Sequence, residues 1–206
     1  MAYTTINKGE NHFNAVTYTG NGGTQSITGA GFQPDWVWIK NRSGTDVHAL
    51  YDSVRGANKN LRSDATSAEG SQSDGLTSFD SDGFSVGAAG SVNTSSNNFV
   101  SWNWLAGTSF TNDASATSIG SIDSSGSVNE TAGFSICTYT GVSSAGTIKH
   151  GLSTVPSVII WKNRSASNGW IVYHHGNTSA PETDYLELHS TNATNDLNTI
   201  RLTWNV

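Results

Sequence analysis

Charge is scarce in this chain. Only 13% of its 206 residues are Asp, Glu, Lys or Arg, about half the usual share. Sixteen acidic against ten basic residues leave a formal net charge of −6. Lys40, Arg42, Arg55, Lys59 and Arg62 are too scattered to form the basic stripe that displaces counterions from phosphates, so nucleic acid is not an expected partner. No apolar run approaches the roughly 20 residues of a membrane span, and no charged-then-apolar leader opens the chain. Cys137 is the sole cysteine, which excludes an internal disulfide and suits a protein made in a reducing cytoplasm. Proline occurs three times, too seldom for rigid linkers. No segment carries the 3.6-residue apolar period of an amphipathic helix.

What fills the chain instead is Gly, Ser, Thr and Asn, with 22 glycines, and the apolar content is concentrated in large rings, including seven Trp. A buried Trp removes about 150–250 Å² from water, and at about 25 cal/mol/Å² each contributes about 4–6 kcal/mol before entropy is subtracted. The expected core is small and aromatic.

The chain also repeats itself. Thr17-Tyr18-Thr19-Gly20 returns as Thr138-Tyr139-Thr140-Gly141, and Lys40-Asn41-Arg42-Ser43 returns as Lys162-Asn163-Arg164-Ser165. The two offsets are 121 and 122 residues. Phe13 matches Phe134, Ile27 matches Ile148, Pro34 matches Pro156, Tyr51 matches Tyr173 and Val16 matches Cys137, which marks that cysteine as a small core residue. A unit this long is a domain rather than a solenoid repeat.

Strand patterns dominate both copies. Residues 13–18 and 134–139 are apolar on both faces, as are 35–40 and 157–162, where Trp36 and Trp38 share one face and Val37 and Ile39 the other. The second pair is expected to be the central strand, entered after Pro34 and Pro156. Shorter strands are expected at 24–28, 48–52, 170–174 and 83–87, with Leu61 and Leu186 in edge segments and a long surface loop over 63–75. Residues 99–104 alternate Val100, Trp102 and Trp104 against Ser101 and Asn103, which reads as a half-buried edge strand. The fold class is therefore all-β: two tandem antiparallel β-sandwich domains. The first spans residues 1–107, a Ser/Thr/Gly-rich linker spans 108–126, and the second spans 127–206. Phe79 aligns with Trp204, so the second copy lacks counterparts of the last strands of the first. A partner chain donating those strands is one explanation, a longer natural protein a second, and a smaller closed fold a third.

Candidate chemistry is thin. His174 and His175 are adjacent in a strand, so their side chains are expected on opposite faces and unable to share a metal. Asp80-Ser81-Asp82-Gly83 begins like a calcium loop but has Ser91 at its twelfth position, and reads as a turn. Asp35 and Asp52 could serve as paired glycosidase carboxylates, yet their counterparts are Ser157 and His174. No nucleophile elbow, phosphate loop or zinc-helix motif is present. The expectation is no enzyme, no cofactor and no metal. Lys-Asn-Arg-Ser is expected at a strand end and turn, its Lys and Arg stems lying over Trp faces. Trp170, Tyr173, Tyr185 and Asn168 are the candidate glycan-binding residues, since exposed rings beside amides stack on sugars. The same rings inside a sheet would be core.

The run over residues 32–43 (Phe-Gln-Pro-Asp-Trp-Val-Trp-Ile-Lys-Asn-Arg-Ser), Ser-Asp-Gly-Phe-Ser-Val-Gly at 81–87, and Asn-Asn-Phe-Val-Ser-Trp-Asn-Trp-Leu-Ala-Gly at 97–107 resemble a domain of unassigned function. That domain occurs in structural proteins of marine tailed bacteriophages, among them viruses of cyanobacteria. Residues 1–7 also resemble the start of such proteins. The resemblance implies lectin-like or jelly-roll β-sandwich modules in a virion, in a tail fibre or similar appendage. It further implies other virion proteins as partners, a homo-oligomer, synthesis in the host cytoplasm and contact with host surface glycans. It brings no catalytic residues. A capsid decoration or head-fibre protein and a carbohydrate-binding module are the alternatives.

Overall fold

The computed structural model describes residues 6–196. After a single 3-10 turn over Gly9–Asn11, the first copy runs β1 (Phe13–Thr19), β2 (Gln25–Thr28), β3 (Trp36–Asn41), β4 (Ala49–Asp52), β5 (Lys59–Asn60), β6 (Gly70–Ser71), β7 (Leu76–Asp80) and β8 (Gly83–Val86). A one-turn helix α1 (Gly90–Asn93) and β9 (Asn98–Trp104) complete it. There follow β10 (Thr108–Asn112), α2 (Ala114–Thr117), β11 (Ser124–Asn129), β12 (Phe134–Tyr139), β13 (Val158–Lys162), β14 (Trp170–His174), β15 (Asp184–Glu187) and β16 (Asn195–Asp196). The strands named here pair antiparallel throughout, so the chain is all-β.

In the first copy a four-stranded sheet, β1-β9-β3-β4, faces a three-stranded sheet, β2-β8-β7. Between them lies a core of Ile27, Val37, Ile39, Tyr51, Leu76, Phe84, Val86 and Phe99, closed by Val92 of α1. The β7–β8 hairpin turns through Ser81 and Asp82. The Asp82 carboxylate accepts from the Gly29 and Gly31 amides at 3.1 and 2.7 Å. The strand entry at Gly83 has φ +151, and a Cβ there would lie 2.0 Å from the Ile27 carbonyl oxygen, so only glycine fits.

Strand β3 is interior, as its two apolar faces require, with β9 on one side and β4 on the other. Strand β9 is interior too, not the edge strand its alternation suggested. Its polar side points to the buried side: Phe99, Ser101 and Asn103 are fully buried. The Asn103 side-chain amide nitrogen donates to the Asn14 carbonyl (3.0 Å) and to Ser101 Oγ (3.1 Å), which offsets part of the desolvation of placing an amide there, while its Oδ1 is buried without a partner. The aromatic side, Trp102 and Trp104, faces the other way with Trp36 and Trp38.

That outward face is covered by the second copy. Trp104 and Phe134 stack at 6.2 Å, Trp36 meets Phe134 at 5.9 Å, and Phe13 closes on Trp104 at 4.7 Å. Leu50, Leu61 and Trp170 form a second buried cluster, against which Trp36, Trp38, Ile160 and Leu188 pack. All four residues of β4 are buried, Tyr51 to one core and Leu50 to the other. An ion network closes the rim. The Arg164 guanidinium meets Glu69 with two bonds of 2.8 and 2.9 Å, and Arg55 bridges Glu69 (3.0 Å) to Asp52 (2.5 Å). Burial pushes the Glu69 carboxyl up, but the bonds from Arg164 and Arg55 outweigh it and hold the group below its usual range.

The segment read as a linker is structured. It holds β10, α2 and the first residues of β11, and β10-β11-β12 form one sheet. The strands β13-β14-β15-β16 form another. The 63–75 loop carries the two-residue strand β6. Trp204 and residues 1–5 lie outside the described residues.

The seam contains one titratable lock. The Trp38 indole N–H donates to His48 Nδ1 at 2.8 Å, which requires that nitrogen to be unprotonated. Burial is the main influence on His48, opposed by Asp64 and aided by Lys40, and the net pKa is lowered. The unfolded chain takes up this proton near pH 6.5, while the folded chain resists it to lower pH. Unfolded molecules therefore bind more protons as pH falls, and stability is lost below about 6.5. His150 is lowered by burial in the same sense. Urea unfolding at a series of pH values should show stability falling between pH 7 and 5, with a shallower slope in His48→Gln. An unchanged slope in that variant would contradict the lock.

Candidate interaction surface on the second copy

The sequence-derived candidates are largely internal. Trp170 is 3% exposed and its indole N–H donates to the Arg62 carbonyl (2.7 Å) and the Ala65 carbonyl (3.2 Å) of the first copy. Tyr173 is 4% exposed, and burial, with Glu182 adding to it, raises its phenol pKa. Neither ring offers a face to a sugar. Tyr185 is half-buried on β15. Asn168 is exposed, but its carbonyl accepts from Lys162 Nζ (2.8 Å) and its Oδ1 from Asn163 (3.1 Å). The structure does not gather these four into an open site. A Trp with a buried carbonyl partner and a Trp at a surface look alike in sequence.

The carboxylates considered for hydrolysis are also committed. Asp35 is 7% exposed and accepts from Ser53 Oγ (2.5 Å) and from the Ala106 and Gly107 amides (2.8 and 2.6 Å), fixing the exit from β9. Asp52 accepts from the Arg55 amide and guanidinium. His174 and His175 differ from expectation: with His174 ending β14 and His175 in the turn, their rings stack at 5.2 Å. Among the described residues no group of three or more His, Cys, Asp or Glu is placed to hold a metal, and no helix is long and apolar enough to cross a membrane. Burial pushes the Cys137 thiol up to about 11, which leaves almost no thiolate at neutral pH.

The repeated Lys-Asn-Arg-Ser is a strand end and turn in both copies. Asn41 and Asn163 each accept from the amide two residues on, at 2.8 and 2.9 Å. Lys162 Nζ is ringed by the carbonyls of Thr66, Asn163, Ala166 and Asn168 at 2.8–3.3 Å, and Lys40 Nζ donates to the Asp46 carbonyl. These ammonium groups bind loop carbonyls. The cation–ring contact observed is elsewhere, Lys149 over Phe110 at 5.8 Å.

What the second copy does present is uncovered apolar surface. Among the described residues six large hydrophobics are exposed: Phe13 in the first copy, and Ile119, Tyr139, Val142, Val155 and Val158 after residue 118. Tyr139 is 44% exposed and borders a shallow cavity of about 330 Å³ with Thr111, Asp123, Ser125 and Arg164. The charged groups there are already engaged: Asp123 accepts from the Ala114 amide at 2.8 Å, and Arg164 holds Glu69. Asp113, also on its rim, accepts from Ser115 Oγ and the Ala116 amide, which lowers its pKa. The matching Tyr18 is covered, its hydroxyl donating to the Val92 carbonyl at 2.6 Å and its ring stacked 5.2 Å from Phe99. The signal in the sequence was the repeat itself, which pairs Tyr18 with Tyr139.

Two substitutions separate a structural from a ligand-binding role for the docked residues. Trp170→Ala should lower unfolding free energy by about 3–5 kcal/mol in urea titrations, whereas a sugar platform would leave stability unchanged. Glu69→Ala should cost about 2–3 kcal/mol, below the full penalty for breaking a buried pair, because the Arg164 side chain is 40% exposed and Arg55 keeps Asp52.

No curated protein and no solved structure matches the chain. One family model does, over residues 8–205, and its description is a domain of unknown function, DUF7483. With nearly its whole length inside that match, the chain belongs to the DUF7483 family.

Proposed function

We propose that this chain is a non-enzymatic structural component of a bacteriophage virion, part of a tail fibre or similar appendage. It would be made in the host cytoplasm and assembled as an oligomer with other virion proteins. The observation that carries this reading is the fusion of two β-rich copies through a half-buried aromatic seam while the second copy keeps apolar surface uncovered. That combination suits a part shaped to be held by neighbours. The engagement of Asp35 and Asp52 in hydrogen bonds that fix loops supports a non-catalytic role. The facing four- and three-stranded sheets of the first copy support reading it as a lectin-like or jelly-roll sandwich module, and the repeat extends that reading to the second.

A second reading, recognition of host glycans, is favoured by the exposed Tyr139 ring beside hydroxyl-bearing Thr111 and Ser125. It relocates the sugar platform from Trp170 and Tyr173 to Tyr139. Immunogold labelling of purified virions that encode this chain is the test of the first reading, with gold expected on the tail appendages. Unlabelled particles would contradict a virion role, and labelling confined to the head would favour the capsid-decoration alternative. Sugar binding abolished by Tyr139→Ala would support the second reading.

A further inference from the structure

In the first copy β9 lies between β1 and β3 and pairs antiparallel with both. The same residue of β9 thus faces a residue on each side: Ser101 lies opposite Val16 and Ile39, Asn103 opposite Asn14 and Val37, Trp104 opposite Phe13 and Trp36. The repeat makes β12 the counterpart of β1, and β13 that of β3. Yet β12 ends the sheet β10-β11-β12 and β13 ends the sheet β13-β14-β15-β16, so among the described residues each has an edge with no strand on it.

The side chains along these edges carry the mark of a missing neighbour. Val37 and Ile39 are fully buried, while their counterparts Ile159 and Trp161 are only partly so. Val158, in the place of Trp36, is 47% exposed, and Tyr139, in the place of Tyr18, is 44% exposed. An apolar strand edge left open in this way is a template for another strand.

We propose that the open edges of β12 and β13 accept a partner strand with the chemistry of β9: extended, antiparallel to both, with small polar side chains alternating with aromatic ones. The repeat fixes the register. The partner residue equivalent to Ser101 lies opposite Cys137 and Trp161, and the one equivalent to Asn103 lies opposite Ser135 and Ile159. The polar residues of that strand turn toward the side that Ile159 and Trp161 occupy, as Ser101 and Asn103 turn toward that of Val37 and Ile39. This inference rests on the fold and the repeat alone, and stands whether or not the chain belongs to a virion.

A synthetic peptide with the sequence of residues 96–106 tests it directly on the intact chain. Hydrogen exchange should slow at least tenfold at alternate amides of residues 158–162 and 135–139 when the peptide is added. A scrambled peptide should change nothing. In the first copy the Arg42 amide donates to the Asn98 carbonyl at 2.7 Å, so the even-numbered residues of β9 address β3. N-methylation of the peptide at Val100 and Trp102 should therefore weaken binding at least tenfold without any change to the protein. No protection at β12 and β13 would overturn the proposal. So would protection confined to β1 and β3, or a slot already taken by residues 197–206, which would leave the peptide unbound.

Discussion

A sheet with apolar side chains on both faces must be covered twice. In this chain that requirement falls on β1-β9-β3-β4. One face carries Val37, Ile39, Tyr51 and Phe99 against β2-β8-β7. The other carries Trp36, Trp38, Trp102, Trp104 and Leu50, which no element of the first copy covers in full. The second copy supplies the cover through Phe134, Ile160, Trp170 and Leu188. Duplication has therefore produced a layered body, in which the second copy buries what the first leaves apolar. Burial of such rings is the largest favourable contribution available to a chain with so few charges.

Polar groups define how these layers meet. Ser101 and Asn103 sit at fully buried positions of β9, and the Asn103 amide reaches the Asn14 carbonyl across the ladder. A slip of one residue would turn Trp102 and Trp104 toward the inner core and the amide toward the seam, so the register of β9 is strongly specified. At the rim, Arg164, Glu69, Arg55 and Asp52 join the two copies in one network. The Trp170 indole finds its acceptors on the first copy, at Arg62 and Ala65. Each of these contacts orients the copies.

Much of this was legible in the sequence. The repeat located β1 with β12, β3 with β13 and β4 with β14, and period-2 alternation found the two faces of β3. Four features were not legible, each for a physical reason. Strand β9 alternates polar and aromatic, and alternation alone does not say which side faces a core; here the polar side does. Strands β10 and β11 consist mainly of Ser, Thr, Asn and Gly and carry no hydrophobic period, because β11 is ordered by ladder bonds on both sides rather than by its own apolar face. Core and platform could not be separated for Trp170, because the surface that buries it belongs to a segment some hundred residues earlier. The carboxylates Asp35 and Asp52 could not be judged from spacing, since their partners are backbone amides and an arginine placed by the fold.

The copies differ where the repeat runs out. Tyr18 and Tyr139 share a motif, yet one is stacked under α1 and β9 and the other borders a shallow open cavity. Shared sequence has placed the same residue in two environments, one closed and one open to a neighbour. The central claim is that the aromatic seam makes both copies one cooperative body, and differential scanning calorimetry of the intact chain tests it most directly. A single transition whose calorimetric and van't Hoff enthalpies agree is the predicted result. Two separable transitions, one for each copy, would contradict it.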